Sequence, residues 1–366
     1  MRSHHIRLNS KRRAVMSEPL QHPPSETRPA SRKLAGLARA AGRGLLMLIW
    51  AGMIGWAVLA IYYSNLPAWL RPIAAVVFAI GSIALLRFVR PRRRGRLVFL
   101  CVFALLLVWW LTIPASNDRD WQPDVAVLPY ATVEGNKITI HSVRNCDYRS
   151  ETDFDVRYYD RTYDLDQLRT ADLFVVYWGS PMIAHTMVSF GFDGDDYVCI
   201  SIETRKEKGE DYSAIRGFFK QYELVYIIAD ERDVVRLRTN YRGEDVYLYR
   251  LRREPEFLRN VFLDYLKHVN RLKQKAEWYN ALTGNCTSNI RGHTKAYAAH
   301  PTWSWQLVLN GYLDEMIYEN GGLDRSLPFA ELKTRSHINA RGKAADKDPV
   351  FSQRIREGLP GMEKRP

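Results

Sequence analysis

The chain has 366 residues, of which 46% are hydrophobic and 25% charged, and 53 basic against 40 acidic residues give it a formal net charge of +13. An excess of this size would suggest nucleic acid or an anionic membrane surface as a partner. However, residues 1–117 contain 17 Lys and Arg against two acidic residues, so the rest of the chain is slightly acidic. The excess belongs to the N-terminal third, and no nucleic-acid partner is expected.

The N-terminal third predicts a membrane anchor. Residues 1–43 contain few large apolar groups near their start and predict a disordered, basic cytoplasmic tail. Three apolar stretches follow, at about 44–63, 72–88 and 97–114, each near the length of roughly 17 to 25 residues that crosses a bilayer as a helix. Residues 44–116 are therefore expected to form three transmembrane helices. The second stretch is short and contains Gly81 and Ser82.

The distribution of basic residues predicts the orientation of this anchor, because Lys and Arg near membrane ends stay in the cytoplasm. The first helix is preceded by Arg32, Lys33, Arg39 and Arg43, and five arginines lie within residues 90–96. The loop at residues 64–71 has a single basic residue. We therefore expect a cytoplasmic N-terminus and a periplasmic domain. An outer aromatic belt would consist of Trp109, Trp110 and Trp121.

Residues 117–340 are long enough for one domain with its own core, and residues 341–366 predict a charged C-terminal tail that wraps the domain or frays. Apolar alternation predicts six strands, and helical spacing then predicts three helices. The strands span residues 136–143, 172–177, 186–192, 197–202, 223–229 and 245–251, and the helices span residues 255–273, 286–299 and 303–318. Strands followed by helices predict an α+β fold.

The hairpin that contains His185 allows a strand register to be predicted. The apolar residues of its two strands must share the core face, so paired residue numbers must have an even sum. A turn centred on Gly194 places Glu203 opposite His185, with Cβ atoms about 5 Å apart. Glu203 is therefore a candidate to orient the imidazole, as the third residue of a catalytic triad does. A different even sum would make Ser201 or Arg205 the partner.

Cys286 lies in a polar run at the predicted start of a helix, which Thr283 or Asn285 would cap. A thiol in the first turn is close to the positive end of the helix dipole, which favours the thiolate. A thiolate beside the imidazole of His185 would form the ion pair of a thiol enzyme. The backbone N–H of Cys286 would be the first oxyanion donor, and Asn285 and Trp178 are further candidates to contact the oxyanion or the substrate.

Simpler interpretations exist for these residues and their neighbours. An isolated cysteine or histidine is most often structural, and Glu203 would then pair with a nearby basic residue. Cys101 lies in a predicted transmembrane helix and is expected to serve packing. Cys146 and Cys199 lie outside the membrane, where a disulfide is permitted, and the sequence leaves this bridge open. The sequence has no metal-binding or phosphate-binding motif, so no metal and no cofactor are expected.

Four motifs follow one another along the domain: Tyr-Trp-Gly-Ser at 177–180, Ala-His-Thr at 184–186, a charged run at 202–210, and Trp-Tyr-Asn at 278–280 before Asn-Cys-Thr at 285–287. Together they resemble the bacterial Lnb-type periplasmic domain over about residues 130–360. That family is similar to a circularly permuted papain-like (NlpC/P60-like) thiol fold in which the histidine precedes the cysteine. The resemblance implies that Cys286 is the nucleophile and His185 the base, in a multi-pass protein of the bacterial inner (cytoplasmic) membrane.

The resemblance also implies an activity, because Lnb moves an acyl chain onto the N-terminal cysteine of a lipoprotein. We therefore expect a cysteine-dependent acyl-transfer enzyme that acts on lipoprotein or phospholipid acyl esters through a thioester on Cys286. The chain departs from Lnb in placing its membrane helices before the domain. Two alternatives are a thiol hydrolase of cell-wall peptide or amide bonds and a catalytically silent periplasmic binding module.

Overall fold

The computed structural model describes residues 29–297 and 304–362, with side chains described from Leu34 onward. Two compact units are present, Met1–Trp56 and Ala57–Pro366. Helix α1 (Pro29–Tyr62) begins within the predicted tail, so residues 29–43 are helical rather than disordered. The rest of that predicted tail, residues 1–28, lies outside the described residues.

Among the described residues, three helices are long and apolar enough to cross a membrane, which confirms the three predicted stretches. They are α1 from Leu34 onward, α2 (Leu70–Phe88) and α3 (Arg92–Thr112). Helix α2 continues through Gly81 and Ser82. Helix α3 begins five residues before the predicted stretch, because its first turn is arginine-rich and only the apolar residues had indicated a span.

The described part of the domain that follows has ten strands. They are β1 (Tyr130–Glu134), β2 (Lys137–Arg144), β3 (Asp147–Tyr148), β4 (Phe154–Asp155), β5 (Tyr158–Asp164), β6 (Leu168–Tyr177), β7 (Ala184–Phe192), β8 (Asp196–Arg205), β9 (Glu223–Ala229) and β10 (Asp245–Arg250). Eight of them form one sheet in the order β1-β2-β9-β8-β7-β6-β10, with β5 also paired to β2. The sheet is mixed, since β2 and β9 are parallel and the other pairs are antiparallel.

The helices of the domain are α4 (Ala214–Phe218), α5 (Glu231–Arg236), α6 (Pro255–Gln274), α7 (Cys286–Lys295), α8 (Leu313–Glu319), α9 (Phe329–Arg335), α10 (Asn339–Ala344) and α11 (Phe351–Arg354). A π-helical segment, Leu237–Arg242, continues from α5. Two short 3-10 turns, Trp305–Leu307 and Asn310–Tyr312, precede α8. This composition confirms the α+β class.

The sheet separates two apolar clusters. On one face α6 packs through the helical stripe that its sequence predicted, and the stripe consists of Leu258, Val261, Phe262, Tyr265, Leu266, Val269 and Leu272. Cys286 at the start of α7 belongs to the same cluster. On the other face Val234 and Val235 of α5 pack with apolar residues from the C-terminal segment. The sheet thus lies between two helical layers, and α7 is on the α6 side.

The C-terminal segment is part of the second layer. Phe351 and Ile355 are fully buried there, and α10 contacts α5 and the π-helical segment. Of the two outcomes expected for residues 341–366, the described part shows the first, since it wraps the domain. Trp121 is also buried in this layer, beneath the guanidinium of Arg205, and is therefore not part of an aromatic belt.

The single helix predicted for residues 303–318 is wrong. The chain forms two 3-10 turns before α8 because Asn310 and Gly311 bond to the backbone ahead of β7. Gly311 lies so close that a Cβ atom there would be 2.1 Å from the carbonyl oxygen of Pro181. These contacts hold the segment against β7 and are incompatible with a continuous helix. Similarly, α7 ends at Lys295, earlier than predicted.

Candidate functional site

The hairpin of β7 and β8 has the predicted register. Its ladder ends at the pair of Met187 and Ser201, and the register that follows from the apolar faces is confirmed. His185 and Glu203 lie two pairs beyond the end of that ladder. Their side chains nevertheless meet, with His185 Nε2 3.1 Å from Glu203 Oε1. The strands therefore leave an open end in which these two polar groups face each other.

Cys286 is the first residue of α7, as the sequence predicted. Asn285 caps the helix, because its side-chain oxygen accepts the backbone N–H of Ser288 at 2.9 Å, and Thr283 has no such role. The residue is buried, with 6% of it exposed, and it lies beside His185 in the wall of one cavity. A thiol at this position is close to the unpaired N–H groups and the positive end of the helix. The local structure thus favours a negative charge on the sulfur.

The orientation of the His185 ring follows from its second contact. Nε2 lies 2.8 Å from Ser201 Oγ as well as near Glu203, so this nitrogen faces β8. Cys286 comes from the α6 side of the sheet. Glu203 and Ser201 come from β8, on the other side of the imidazole. The ring is therefore held between an acid group and a thiol.

The pair has complementary pKa shifts. Burial opposes the thiolate, but the hydrogen bond and the charge of His185 outweigh it and lower the pKa of Cys286 to about 7. Burial also opposes the imidazolium, but the charge of Glu203 and the hydrogen bonds to Cys286 and Glu203 raise the pKa of His185 to about 9. Between these values both side chains are charged. The two groups titrate as a coupled pair.

Glu203 is held as a carboxylate by three donors. Besides His185, Ser201 Oγ donates to its Oε1 at 2.6 Å and Arg238 Nη2 at 2.7 Å. Burial opposes this charge, yet the charges of His185 and Arg238 hold the pKa of Glu203 well below its usual range. Arg238 is itself fixed by Glu244 at 2.9 Å. The imidazole is thus linked through Glu203 to a second ion pair.

Sequence analysis did not identify Arg238. It lies in the π-helical segment after α5, in the opposite layer of the fold from α7. No spacing rule connects residues 203 and 238, since their contact depends on how the second layer packs on β8. The signal in the sequence was that residues 234–239 place two arginines among apolar residues typical of a protein interior. Ser201 had been considered only as an alternative partner, whereas it contacts both His185 and Glu203.

Asn310 fixes β7 relative to α7. Its Oδ1 accepts the N–H of Ala184 at 2.9 Å, and its Nδ2 donates to the carbonyl of Ala184 at 2.7 Å and to Thr287 Oγ1 at 2.9 Å. Ala184 precedes His185, and Thr287 follows Cys286. One buried amide therefore connects the neighbours of both members of the thiol–imidazole pair.

A cavity of about 520 Å³ contains Cys286, His185 and Glu203 in its wall. Trp178 and Asn285, the two further candidates, also line it, and Trp178 is partly exposed. The amide of Asn285 is engaged on both sides, since its Nδ2 donates to Ala281. The remaining wall includes Tyr212, Phe218 and Tyr279. All five predicted residues thus border one cavity.

A second cavity, of about 330 Å³, runs along the other side of α7. Its wall is formed by apolar side chains of β6, β7, α6 and α8, with Thr287, Ile290 and Thr294 from α7. Arg253 and Arg291 are the cationic residues in this wall. Its volume is near the lower limit for small-molecule pockets, which is about 300 Å³.

The other thiols differ from Cys286. Cys146 and Cys199 are free and belong to different apolar clusters, so the disulfide that the sequence left open is not formed. Burial raises the pKa of both thiols. Within residues 29–297 and 304–362, no three His, Cys, Asp or Glu side chains are grouped as metal ligands.

The geometry can be compared with known proteins. The family model of the Lnb N-terminal periplasmic domain matches residues 154–311. The predicted resemblance to the Lnb-type domain is confirmed. The match is shorter at both ends than the predicted range but includes His185, Glu203 and Cys286. No curated protein and no solved structure matches the chain. With three candidate spans, the Lnb-type match indicates a membrane protein with a periplasmic domain.

Proposed function

We propose that this protein is a membrane-anchored, cysteine-dependent acyltransferase that acts on acyl esters of membrane lipids or lipoproteins. The observation that carries the proposal is that the buried Cys286, at the start of α7, shares one cavity wall with a His185 that Glu203 contacts at 3.1 Å. A nucleophile, a base and an orienting acid in this order are what covalent acyl transfer requires. The resemblance to the Lnb-type domain supports acyl esters as substrates.

In the first half of the reaction the thiolate of Cys286 attacks the ester carbonyl. The carbon–sulfur bond forms, the carbon–oxygen bond to the alcohol breaks, and protonated His185 supplies the proton that the leaving alcohol needs. In the second half, neutral His185 takes a proton from the attacking amine, the amide bond forms and the thiolate leaves. Glu203 stabilises the imidazolium in both halves.

Charge on the carbonyl oxygen requires donors near the sulfur. The backbone N–H of Cys286 is the first candidate, because the first N–H groups of a helix have no acceptor within the helix. Trp178 borders the same cavity and is the second candidate. The side chain of Asn285 is occupied by capping, so we assign it to positioning the start of α7.

The second cavity supports an acyl chain as the transferred group. It is predominantly apolar and shares α7 with the thiol, and Thr287 in its wall is the residue after Cys286. A chain of methylene groups gains about 0.8 kcal/mol for each one buried, so such a cavity favours a lipid donor over a peptide. A hydrolase of cell-wall peptides would have little use for it.

The topology proposed with this function has the N-terminus in the cytoplasm and residues 44–116 in the inner membrane. The thiol domain, residues 117–340, would then be periplasmic. A cysteine at a helix start beside a histidine on an earlier strand supports a circularly permuted papain-like arrangement. The arginines at residues 90–96, opposite a loop with one basic residue, support the orientation.

The test is a Cys286→Ala substitution in the full-length protein. We expect loss of acyl transfer from a radiolabelled diacyl phospholipid and loss of the acyl-enzyme detected by mass spectrometry, because the thioester needs the sulfur. Cys199→Ala is the matched control, since Cys199 is also buried but does not line the cavity that contains Cys286 and His185. Acyl transfer that persists in the Cys286 variant would contradict the proposal. A wild type without acyl-enzyme or transfer would favour the silent binding module.

A further inference from the structure

Lys220 lies at the C-terminal end of the third candidate span. Its ammonium group donates to the carbonyl oxygens of Trp110 at 2.9 Å, Leu111 at 3.0 Å and Ile113 at 3.2 Å. Carbonyls at the end of a helix have no partner within the helix, and a cation there is favourable. The ammonium also lies 4.7 Å from the ring centre of Trp110. The loop that carries Lys220 is therefore fixed to the end of α3.

Neighbouring residues make the same connection. Gln221 donates to the carbonyl of Tyr63 at 2.6 Å, and Phe219 stacks on the Tyr63 ring. Tyr63 is the residue that follows the first candidate span. Trp278 donates its indole N–H to the carbonyl of Ile113 at 3.0 Å. Residues 219–221 and Trp278 therefore lie at the level where two membrane spans end.

The chain immediately before Lys220 presents apolar side chains to solvent. In and around α4, Ile215 is 54% exposed and Phe218 is 41% exposed, and Tyr212 is also exposed. Large apolar side chains in water at the end of a membrane span are typical of a segment that lies in the lipid interface. The continuity of α4 with the span ends identifies the bilayer as the surface that covers it.

The same segment forms one wall of the thiol cavity. Tyr212, Ala214 and Phe218 line it together with Cys286. In addition, Gly217 of α4 accepts the backbone N–H of Ala281 at 3.2 Å, five residues before Cys286. The interfacial segment and the loop that leads to the nucleophile are therefore packed together.

From these contacts we infer that α4 and its flanking residues, 212–218, insert into the outer interface of the membrane, so that the thiol cavity opens directly onto lipid. A lipid ester then reaches Cys286 by moving laterally from the bilayer, without passing through water. The insertion rests on the anchor and the exposed apolar residues. Its role in delivering substrate rests on the proposed function.

The depth of positions 215 and 218 in the membrane can be measured without an activity assay. In full-length protein with Cys286→Ala and the other native cysteines replaced, Ile215→Cys or Phe218→Cys is labelled with a nitrobenzoxadiazole fluorophore and placed in phosphatidylglycerol–phosphatidylcholine nanodiscs. We expect brominated lipid chains to quench both labels strongly, because quenching needs contact with the hydrocarbon.

Val156→Cys is the matched control. Val156 is 36% exposed, and the carbonyl of its neighbour Arg157 accepts the backbone N–H of Asn145. The residue before Asn145, Arg144 of β2, pairs with Ala229 of β9. That pair is at the end of β9 away from Glu223, which bonds to Ser116 just after α3. Position 156 is therefore about 20 Å farther from the span ends, at about 3.3 Å per residue of strand. Equal quenching at positions 215, 218 and 156 would overturn the inference.

A second measurement separates this inference from the proposed function. Ile215→Ser with Phe218→Ser in the wild-type background should lower turnover of lipid in vesicles by about tenfold, because interfacial contact is lost. The pH at which Cys286 becomes reactive toward water-soluble iodoacetamide should stay the same, since the thiol pair is intact. Strong quenching without any turnover in the wild type would refute the acyltransferase and leave the insertion standing. Unchanged lipid turnover in the double variant would refute the delivery route.

Discussion

Cys286 and His185 each shift the titration of the other. Burial alone would keep the thiol protonated and the imidazole neutral, which is the usual state of both residues in a core. The charge of Glu203 raises the pKa of His185, and the neighbouring His185 lowers the pKa of Cys286, so both tendencies are reversed. This is why Cys286 differs from Cys199, where burial raises the pKa of the thiol and the charges of Arg356 and Arg238 do not offset it.

Glu203→Gln tests the acid side of this arrangement. Because Glu203 raises the pKa of His185 to about 9, removing its charge should lower that pKa. The imidazolium is present only below its pKa, so the alkaline limb of the pH–rate profile should move to lower pH by about one unit or more. The measurement is turnover between pH 5 and 10. Glu207→Gln, which alters a surface pair with Arg119, is the control and should leave the limb in place. An unmoved limb in the Glu203 variant would argue against its orienting role.

The position of β7 relative to α7 depends on Asn310, which has no hydrogen bond to His185 or Cys286. Asn310 bonds to Ala184 and Thr287, so it sets the distance between His185 and Cys286. A short 3-10 turn, rather than the predicted helix, presents this amide. The contacts of Asn310 and Gly311 with the backbone at the start of β7 explain why the predicted helix does not form there. The same contacts position the site.

Asn310→Ala should therefore affect both stability and rate. Three buried hydrogen-bonding groups would lose their partner, at a cost of about 1–3 kcal/mol in the free energy of unfolding. We expect kcat to fall more than KM rises, because misplaced reacting groups slow the chemical step. Thermal unfolding in detergent and steady-state kinetics measure the two effects. Asn136→Ala, at an exposed pair with Asp166, is the control. Loss of stability with unchanged kcat would show a purely structural role.

Local pattern was sufficient for six strands of the main sheet and for the long helix α6. Alternation and the position of Gly194 gave the register that brings Glu203 to His185, because a slip by one residue would turn every apolar side chain outward. The stripe on α6 gave its buried face. Patterns could not give β1 or β5, which lie at the polar margin of the sheet with many exposed residues. Nor could they give Arg238, because its contact crosses from one layer to the other.

At the scale of the whole molecule, a buried cluster of ion pairs holds the C-terminal segment to β6 and α5. Arg356 donates to Asp172 at 2.9 Å and to Glu231 at 2.6 and 2.7 Å, and all three side chains are buried. Arg250 also pairs with Asp172. The sequence predicted a charged tail here, but its Arg356 neutralises buried carboxylates on β6 and α5. The length of sequence between residues 172, 231 and 356 explains why no local pattern revealed it.

Arg356→Met should be strongly destabilising. It leaves Glu231 and Asp172 buried with fewer partners, and breaking one side of a buried ion pair costs about 3–5 kcal/mol. The midpoint of thermal unfolding in detergent should fall clearly. Arg354→Met is the control, because Arg354 forms exposed pairs with Asp348 and Glu357, and its midpoint should not change measurably. Equal midpoints for the two variants would mean that the C-terminal segment does not hold the domain together.

The proposed chemistry depends on the charge state of Cys286, which alkylation measures directly. Full-length protein in detergent, with Cys101, Cys146 and Cys199 replaced, is treated with iodoacetamide from pH 5 to 10, with and without His185→Ala. With His185 present, we expect the alkylation rate of Cys286 to rise through about pH 7. In the His185→Ala protein, we expect this rise at or above the free-thiol pKa of about 8.5. A thiol that titrates at the same pH in both proteins would contradict the ion pair and the acyl transfer proposed from it.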